Sequence, residues 1–270
     1  MVRNKYPDLG KDLTGRVIGA AMAVHRQFGP GLNEADYETA LSRELHAMGV
    51  DHECQVALPL VYKGNHLDCG YRMDVVLPGQ LLLELKALDK LHPLHEAQLI
   101  TYLRLSSLPL GLLFNFGDLL LKDSITRRAN TVGQRDSFTP FQVTRSTMDE
   151  LSRIVVEAAV EVQRHLGSGL LRSAYGVCLH HELVLRGLKA ELNQPVNLVY
   201  REQPISSCKQ LPLIVENSLL VACYCTEKME PLHLAKARSL LRASTAESGL
   251  CINFHASNLS GEIKRINVQK

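Results

Sequence analysis

Apolar residues set the rhythm of this chain. Over residues 13–28 they recur at helical spacing, as Leu13, Val17, Ala20, Ala21 and Val24, and Gly29-Pro30-Gly31 ends the run with residues that cannot continue a helix. The spacing predicts a second helix over residues 33–48, capped by the Asn33 side chain and closed by Gly49. Two extended runs follow, at 54–62 and 71–77, with Lys63-Gly64-Asn65 as the turn between them. A third strand is expected over 81–88, joined to the second by the tight Pro78-Gly79-Gln80 connection. Residues 95–105 return to helical spacing and 110–116 read as a buried strand. The polar stretch 129–147 reads as a linker, after which the same order of elements begins again at Met148.

The recurrence is a duplication at the level of single residues. Shifted by 138 positions without a gap, Val17, Ala20 and Ala21 fall on Val155, Ala158 and Ala159, while Gly29, Gly31, Leu32 and Tyr37 fall on Gly167, Gly169, Leu170 and Tyr175. Pro93, Leu94, His95 and Ala97 likewise meet Pro231, Leu232, His233 and Ala235, and Gly111, Asn115 and Phe116 meet Gly249, Asn253 and Phe254. Two units of about 130 residues follow, spanning 1–130 and 148–270, each long enough to close its own core. The expected class is α/β, with the same fold made twice.

Composition narrows this further. Hydrophobic residues make up 46 % and charged ones 21 %, the balance of a globular chain, and the absence of Trp argues against an aromatic stacking platform. The first twelve residues are polar and no apolar run is long and unbroken enough to span a membrane. Seven cysteines, an odd number without a CxxC pair, read as reduced thiols and point to the cytoplasm rather than to zinc or a disulfide framework. A formal net charge of +2 permits a nucleic-acid partner without requiring one.

Candidate chemistry lies where charges interrupt apolar strands. Asp74 sits within Met73-Asp74-Val75-Val76, and Glu84 and Lys86 within Leu81-Leu82-Leu83-Glu84-Leu85-Lys86-Ala87. Two residues apart on one strand, Glu84 and Lys86 project from the same face, and the hairpin brings Asp74 beside them. A charge buried there costs several kcal/mol unless it is paired or bound to a metal. Two carboxylates beside a backbone carbonyl suit a hard cation such as Mg2+, and an ammonium nearby can orient water or meet developing phosphate charge. A structural ion pair between Lys86 and one acid is the plain alternative, and it leaves the other acid unexplained. Under the 138-residue shift the three become Pro212, Ala222 and Tyr224, so the second copy keeps the apolar framework and loses the charges.

Asp74 followed by Glu84-Leu85-Lys86 resembles the D…ExK signature of the PD-(D/E)XK nuclease superfamily, and residues 13–127 resemble its GxxExxY branch, with the naming motif present as Gly31-Leu32-Asn33-Glu34-Ala35-Asp36-Tyr37. Gln98 and Tyr102, with His95-Glu96-Ala97 before them, and Asn115-Phe116 add to the likeness. The resemblance implies a restriction-endonuclease-like core, a mixed sheet flanked by helices, and metal-dependent hydrolysis of phosphodiester bonds in nucleic acid, DNA ahead of RNA. It implies Asp74, Glu84 and the Leu85 carbonyl as holders of Mg2+ or Mn2+, Lys86 as the residue that positions water, and Glu34 as an accessory acid. Gln98 and Tyr102, four apart on one helix face, would support Lys86 or touch the phosphate backbone. His95 recurs as His233 in the copy without acids, which favours a structural or capping role. The second copy, with Arg172, Lys236 and Leu240 in place of Glu34, Gln98 and Tyr102, is expected to pack as an internal pseudo-dimer, to extend a nucleic-acid surface or to meet a protein partner. The alternative to a nuclease is a non-catalytic nucleic-acid-binding or scaffold protein.

Overall fold

A computed structural model describes residues 11–130, 148–192, 196–201, 203–208, 213–256, 258–259 and 261–267. It divides into two compact units, one built from residues before Leu60 and from Gly70 to the linker, the other from Leu60–Cys69 and the residues after the linker. Most of the expected linker, together with Pro212, lies outside the described residues.

In the first unit α1 (Lys11–Phe28) and α2 (Glu34–Ala47) precede a sheet of β1 (Glu53–Ala57), β4 (Arg72–Leu77), β5 (Leu81–Lys86), β6 (Leu110–Asn115) and β7 (Ile125–Ala129). The strands lie in that order. Only β5 and β6 are parallel, and α3 (Pro93–Ser106) makes the crossover between them, as a parallel pair requires. Asn33 caps α2 through its side chain, as its place before the helix predicts.

All six residues of β5 are buried, so the strand is covered on both faces, and apart from Glu84 and Lys86 it is apolar rather than alternating. Leu81, Leu83 and Leu85 pack with Val17, Ala20 and Ala21 of α1 and with Leu41 and Leu45 of α2. By strand alternation Leu82, Glu84 and Lys86 therefore face the other side, where α3 lies. That parity decides where the charges go.

Two features differ from the sequence reading. The extended run 54–62 breaks at Leu58-Pro59, and β2 (Leu60–Tyr62) pairs with β3 (Asn65–Leu67) in a separate two-stranded hairpin. Proline cannot donate to a ladder, so it stands where one strand gives way to another. Residues 125–129, to which the spacing assigns no element before the linker, supply β7, with Arg127 and Arg128 opposite Leu112 and Gly111 on β6.

The hairpin is part of the second unit, although it belongs by sequence to the first copy. There α4 (Glu150–Leu166) and α5 (Arg172–Leu185) repeat α1 and α2. Buried Glu182 of α5 accepts hydrogen bonds from Tyr62 Oη at 2.9 Å, Lys63 Nζ at 2.7 Å and Arg186 Nε at 3.0 Å. The sheet of this unit, from β8 (Ala190–Leu192), β11 (Leu213–Val215), β12 (Leu219–Tyr224), β13 (Ser248–Asn253) and β14 (Ile263–Asn267), has the same strand order and again one parallel pair, β12 with β13, and β9 (Val196–Tyr200) pairs with β10 (Gln203–Cys208) in a two-stranded sheet. The connecting helix is α6 (Pro231–Ala243).

Candidate active site

The ladder between β4 and β5 runs from Leu77↔Leu81 to Val75↔Leu83 and stops there. One step further the strands part, and the carboxylate of Asp74 takes over the freed amide, accepting from the Leu85 N–H at 2.8 Å. Glu84, on the α3 side of β5, is fully buried, and its Oε1 accepts from Lys86 Nζ at 2.8 Å and from Gln98 Nε2 of α3 at 2.5 Å. Its other oxygen, Oε2, is buried and has no hydrogen-bond partner. Lys86 Nζ also donates to the Leu85 carbonyl at 2.9 Å and lies 4.0 Å from Asp74 Oδ2 and 3.8 Å from Glu34 Oε2. Glu34 opens α2, where a carboxylate is favoured by the helix dipole.

The hairpin thus brings Asp74, Glu84, Leu85 and Lys86 together, α2 adds Glu34, and α3 adds Gln98. Tyr102, buried one turn beyond Gln98, accepts a 3.2 Å hydrogen bond from its amide and so acts on the cluster through it. Gln98 meets Glu84 rather than Lys86. Among the described residues no three His, Cys, Asp or Glu side chains form a ready-made cation cage. The carboxylates gather instead around an ammonium, and the ion pair of Lys86 with Glu84 is present within the larger cluster.

Charge in this cleft is expensive. Burial, and then the neighbouring Asp74, push the Glu84 carboxyl up to about 8, more than Lys86 beside it can offset. Burial raises Asp74 as well, against the Leu85 N–H and the Lys86 charge. Burial alone would lower Lys86, but Glu84, Asp74 and Glu34 together raise it. Three acids against one base leave an excess of two negative charges when all are ionised.

Beside the cluster opens a cavity of about 390 Å³ lined by Glu34, Ala35, Glu38, Gln55, Asp74 and Leu85. Glu38 and Gln55 escaped the sequence reading. Glu38 had a signal, standing one helical turn after Glu34 and becoming Gly176 in the second copy. Nothing in the pattern of β1 marks Gln55.

The duplicated framework shows which quoted residues serve the fold. Tyr37 Oη donates to the Gly29 carbonyl at 2.5 Å and accepts from the Leu32 N–H at 3.2 Å; Tyr175 does the same with Gly167 and Leu170 at 2.8 and 3.1 Å. Each tyrosine stacks on a phenylalanine, Phe116 or Phe254. Asn115 bonds both backbone groups of Leu88, as Asn253 does those of Thr226. His95 Nδ1 accepts from the His92 N–H at 3.0 Å and His233 Nδ1 from the Glu230 N–H at 2.9 Å, so both histidines cap helices. Around the former site, Ala222 is buried, Tyr224 turns its hydroxyl onto the His233 carbonyl at 2.9 Å, and Arg172 and Lys236 are exposed.

The model of the PD-(D/E)XK nuclease superfamily matches residues 11–128 and again 149–266, both bounds displaced by the same 138 residues. No curated protein and no solved structure matches the chain. With two mixed five-stranded sheets flanked by helices, each covered by one of these matches, the chain belongs to the PD-(D/E)XK nuclease superfamily and is a tandem duplication of its fold.

Proposed function

We propose that the first unit is a nuclease that hydrolyses phosphodiester bonds of DNA or RNA with Mg2+ or Mn2+, and that the second unit is a non-catalytic copy. The observation that carries this is Glu84 Oε2, a fully buried carboxylate oxygen without a partner, in a cluster that carries two surplus negative charges once all its acids are ionised. A site meant only to hold an ion pair leaves neither. Oxygen donors from Asp74, Glu84 and the Leu85 carbonyl are the hard ligands that a small divalent cation takes, so the residues fit the group. The cation supplies charge neutralisation at the scissile phosphate and a lowered pKa for bound water.

The chain's own groups do the rest. Gln98, backed by Tyr102, fixes the Glu84 carboxylate in place. Lys86 holds its ammonium among the acids, where it can bind the attacking water or a phosphate oxygen. Glu34, half exposed at the cavity mouth, accepts a proton or hydrogen bond from that water. Exposed Arg172, Lys236 and Arg242 of the second unit offer phosphate contacts where the first unit carries Glu34, Gln98 and Arg104. The same set suits a non-catalytic nucleic-acid-binding or scaffold protein, a reading favoured by the Lys86–Glu84 pair, which already occupies part of the acid cluster.

Two measurements decide. Mn2+ should raise the melting temperature of the native chain and not that of Asp74→Ala. In a cleavage panel across single- and double-stranded DNA and RNA, the native chain should cut with Mn2+ or Mg2+ while Glu84→Ala and Lys86→Ala do not; a panel uncut by the native chain leaves the binding reading in its place.

A further inference from the structure

Gln55 has an unusual backbone. Its φ is 53°, in the left-handed region that non-glycine residues seldom occupy, and it lies in the middle of β1. The pairing of β1 with β4 skips it: Cys54 faces Val75 and Val56 faces Met73, but the place between, opposite Asp74, carries no pair. The strained residue and the site's first acid are cross-strand neighbours.

The side chain explains the strain. Its amide nitrogen donates to Glu38 Oε2 on α2. Asp74, its cross-strand neighbour, lines the same cavity, and the amide nitrogen is the only donor the Gln55 side chain has. One NH2 group anchored on α2 thus lies beside the carboxylate of β4, and Glu38, Gln55 and Asp74 all line the cavity of about 390 Å³. Arg72 Nη1 donates to the Gln55 carbonyl at 2.6 Å, holding the turned backbone from outside. Asp74 is thus held by the Leu85 N–H and has the anchored Gln55 amide as its cross-strand neighbour, the kind of outer partner that keeps a carboxylate lone pair aimed at a ligand.

The second copy supplies a separate argument. Where the framework is kept, the shift of 138 residues preserves side-chain identity, yet Glu38 is replaced by Gly176 and Gln55 by Asn193, in step with the loss of Asp74, Glu84 and Lys86. A pair needed for packing between helix and sheet would have stayed with Tyr37 and Asn115.

We infer that Gln55 and Glu38 are positioning residues of the first unit's site, in which the Gln55 amide, anchored on Glu38, sets the orientation of Asp74 toward the divalent cation. The inference rests on the proposed metal-dependent reading.

The test is an Mn2+ titration of the full chain followed by thermal shift, on wild type, Gln55→Gly, Glu38→Ala and Asp74→Ala. Glycine adopts a left-handed backbone freely, so Gln55→Gly removes the amide while easing the strain and leaving every charge in place. Its metal-free melting temperature should match or exceed that of wild type, while the Mn2+ concentration at half-maximal shift rises about 10- to 100-fold, the usual effect of losing an outer partner of a ligand. Glu38→Ala should weaken Mn2+ in the same direction, and Asp74→Ala should abolish the response. If wild type responds, Asp74→Ala does not and Gln55→Gly keeps the wild-type midpoint within about threefold, the inference is overturned and the function stands. If wild type itself gives no Mn2+ response, the metal-dependent reading fails and takes the inference with it.

Discussion

Replacing Glu84 by glutamine isolates the electrostatic burden of the site. Glutamine keeps the shape and an oxygen that can accept from Lys86 and Gln98, and it cannot ionise. The folded protein holds the Glu84 carboxyl up to about 8, against an ordinary value of 4.5, through burial and then the proximity of Asp74. Below about pH 4.5 the carboxyl is neutral in the folded and unfolded chain alike, so wild type and variant should differ little. As the pH rises the unfolded chain ionises first, and wild type loses stability relative to Glu84→Gln by up to about 1.4 kcal/mol per pH unit until the folded group also ionises near pH 8. The window sums to about 3–5 kcal/mol, offset by about 1 kcal/mol for the amide hydrogens placed where Oε2 has no partner. Lys86, also raised, contributes stability that is lost only above its ordinary 10.5, outside this window. Hydrogen exchange of the β5 and β6 amides in EDTA, comparing the two proteins at equal pH, measures the difference locally. Exchange in wild type should become faster than in the variant by on the order of a hundredfold between pH 5 and 8. A ratio that stays flat across that range would show that Lys86 fully compensates the buried charge, and the case for a cation would lose its energetic basis.

Other consequences follow from the framework. Tyr37→Phe and Tyr175→Phe should each cost about 1 kcal/mol in chemical unfolding, through one hydroxyl that bridges two backbone groups, and Tyr37→Phe should leave the Mn2+ midpoint unchanged. His25 Nε2 lies 2.9 Å from the Asp118 carbonyl, and Gln163, its counterpart, donates Nε2 to the Ala256 carbonyl at 2.5 Å; since a carbonyl only accepts, His25→Gln should be neutral within about 1 kcal/mol, whereas His25→Ala should cost about 1–3 kcal/mol. Burial opposes ionisation of Glu182, but hydrogen bonds from Lys63, Tyr62 and Arg186 prevail and hold its pKa below the usual value, so its contribution is present above about pH 4.5 and is lost as the pH falls through that lowered pKa. Glu182→Ala should destabilise the second unit by about 3 kcal/mol at pH 7 and flatten its acid unfolding curve, as read by circular dichroism against pH.

Most of the fold is visible in the sequence because period and punctuation agree with it. Helical spacing and an Asn33 cap place α2, and an apolar run broken only by Glu84 and Lys86 marks β5 as a strand covered on both faces. What escapes is decided by tertiary context. Ile125–Ala129 is too charged to read as a strand, and becomes one because β6 has an open edge beside it. The hairpin β2–β3 looks like part of a longer strand, and contacts about a hundred residues away, with Glu182, Glu161 and His165, explain why Tyr62 and Lys63 stand where they do. The site divides in the same way. Asp74, Glu84 and Lys86 stand out because charge in an apolar strand violates the local pattern, and residues that violate a pattern are the ones sequence reasoning finds. Gln55 violates nothing as a letter, since glutamine is ordinary on a strand with an exposed face; its anomaly is a backbone angle, which no periodicity encodes. The duplication reaches part of that blind spot. A position whose role is packing must satisfy the same neighbours in both copies, whereas one whose role is chemistry is released once the chemistry goes, so divergence between the halves sorts Glu38 with the acids and Tyr37, its immediate neighbour on α2, with the frame.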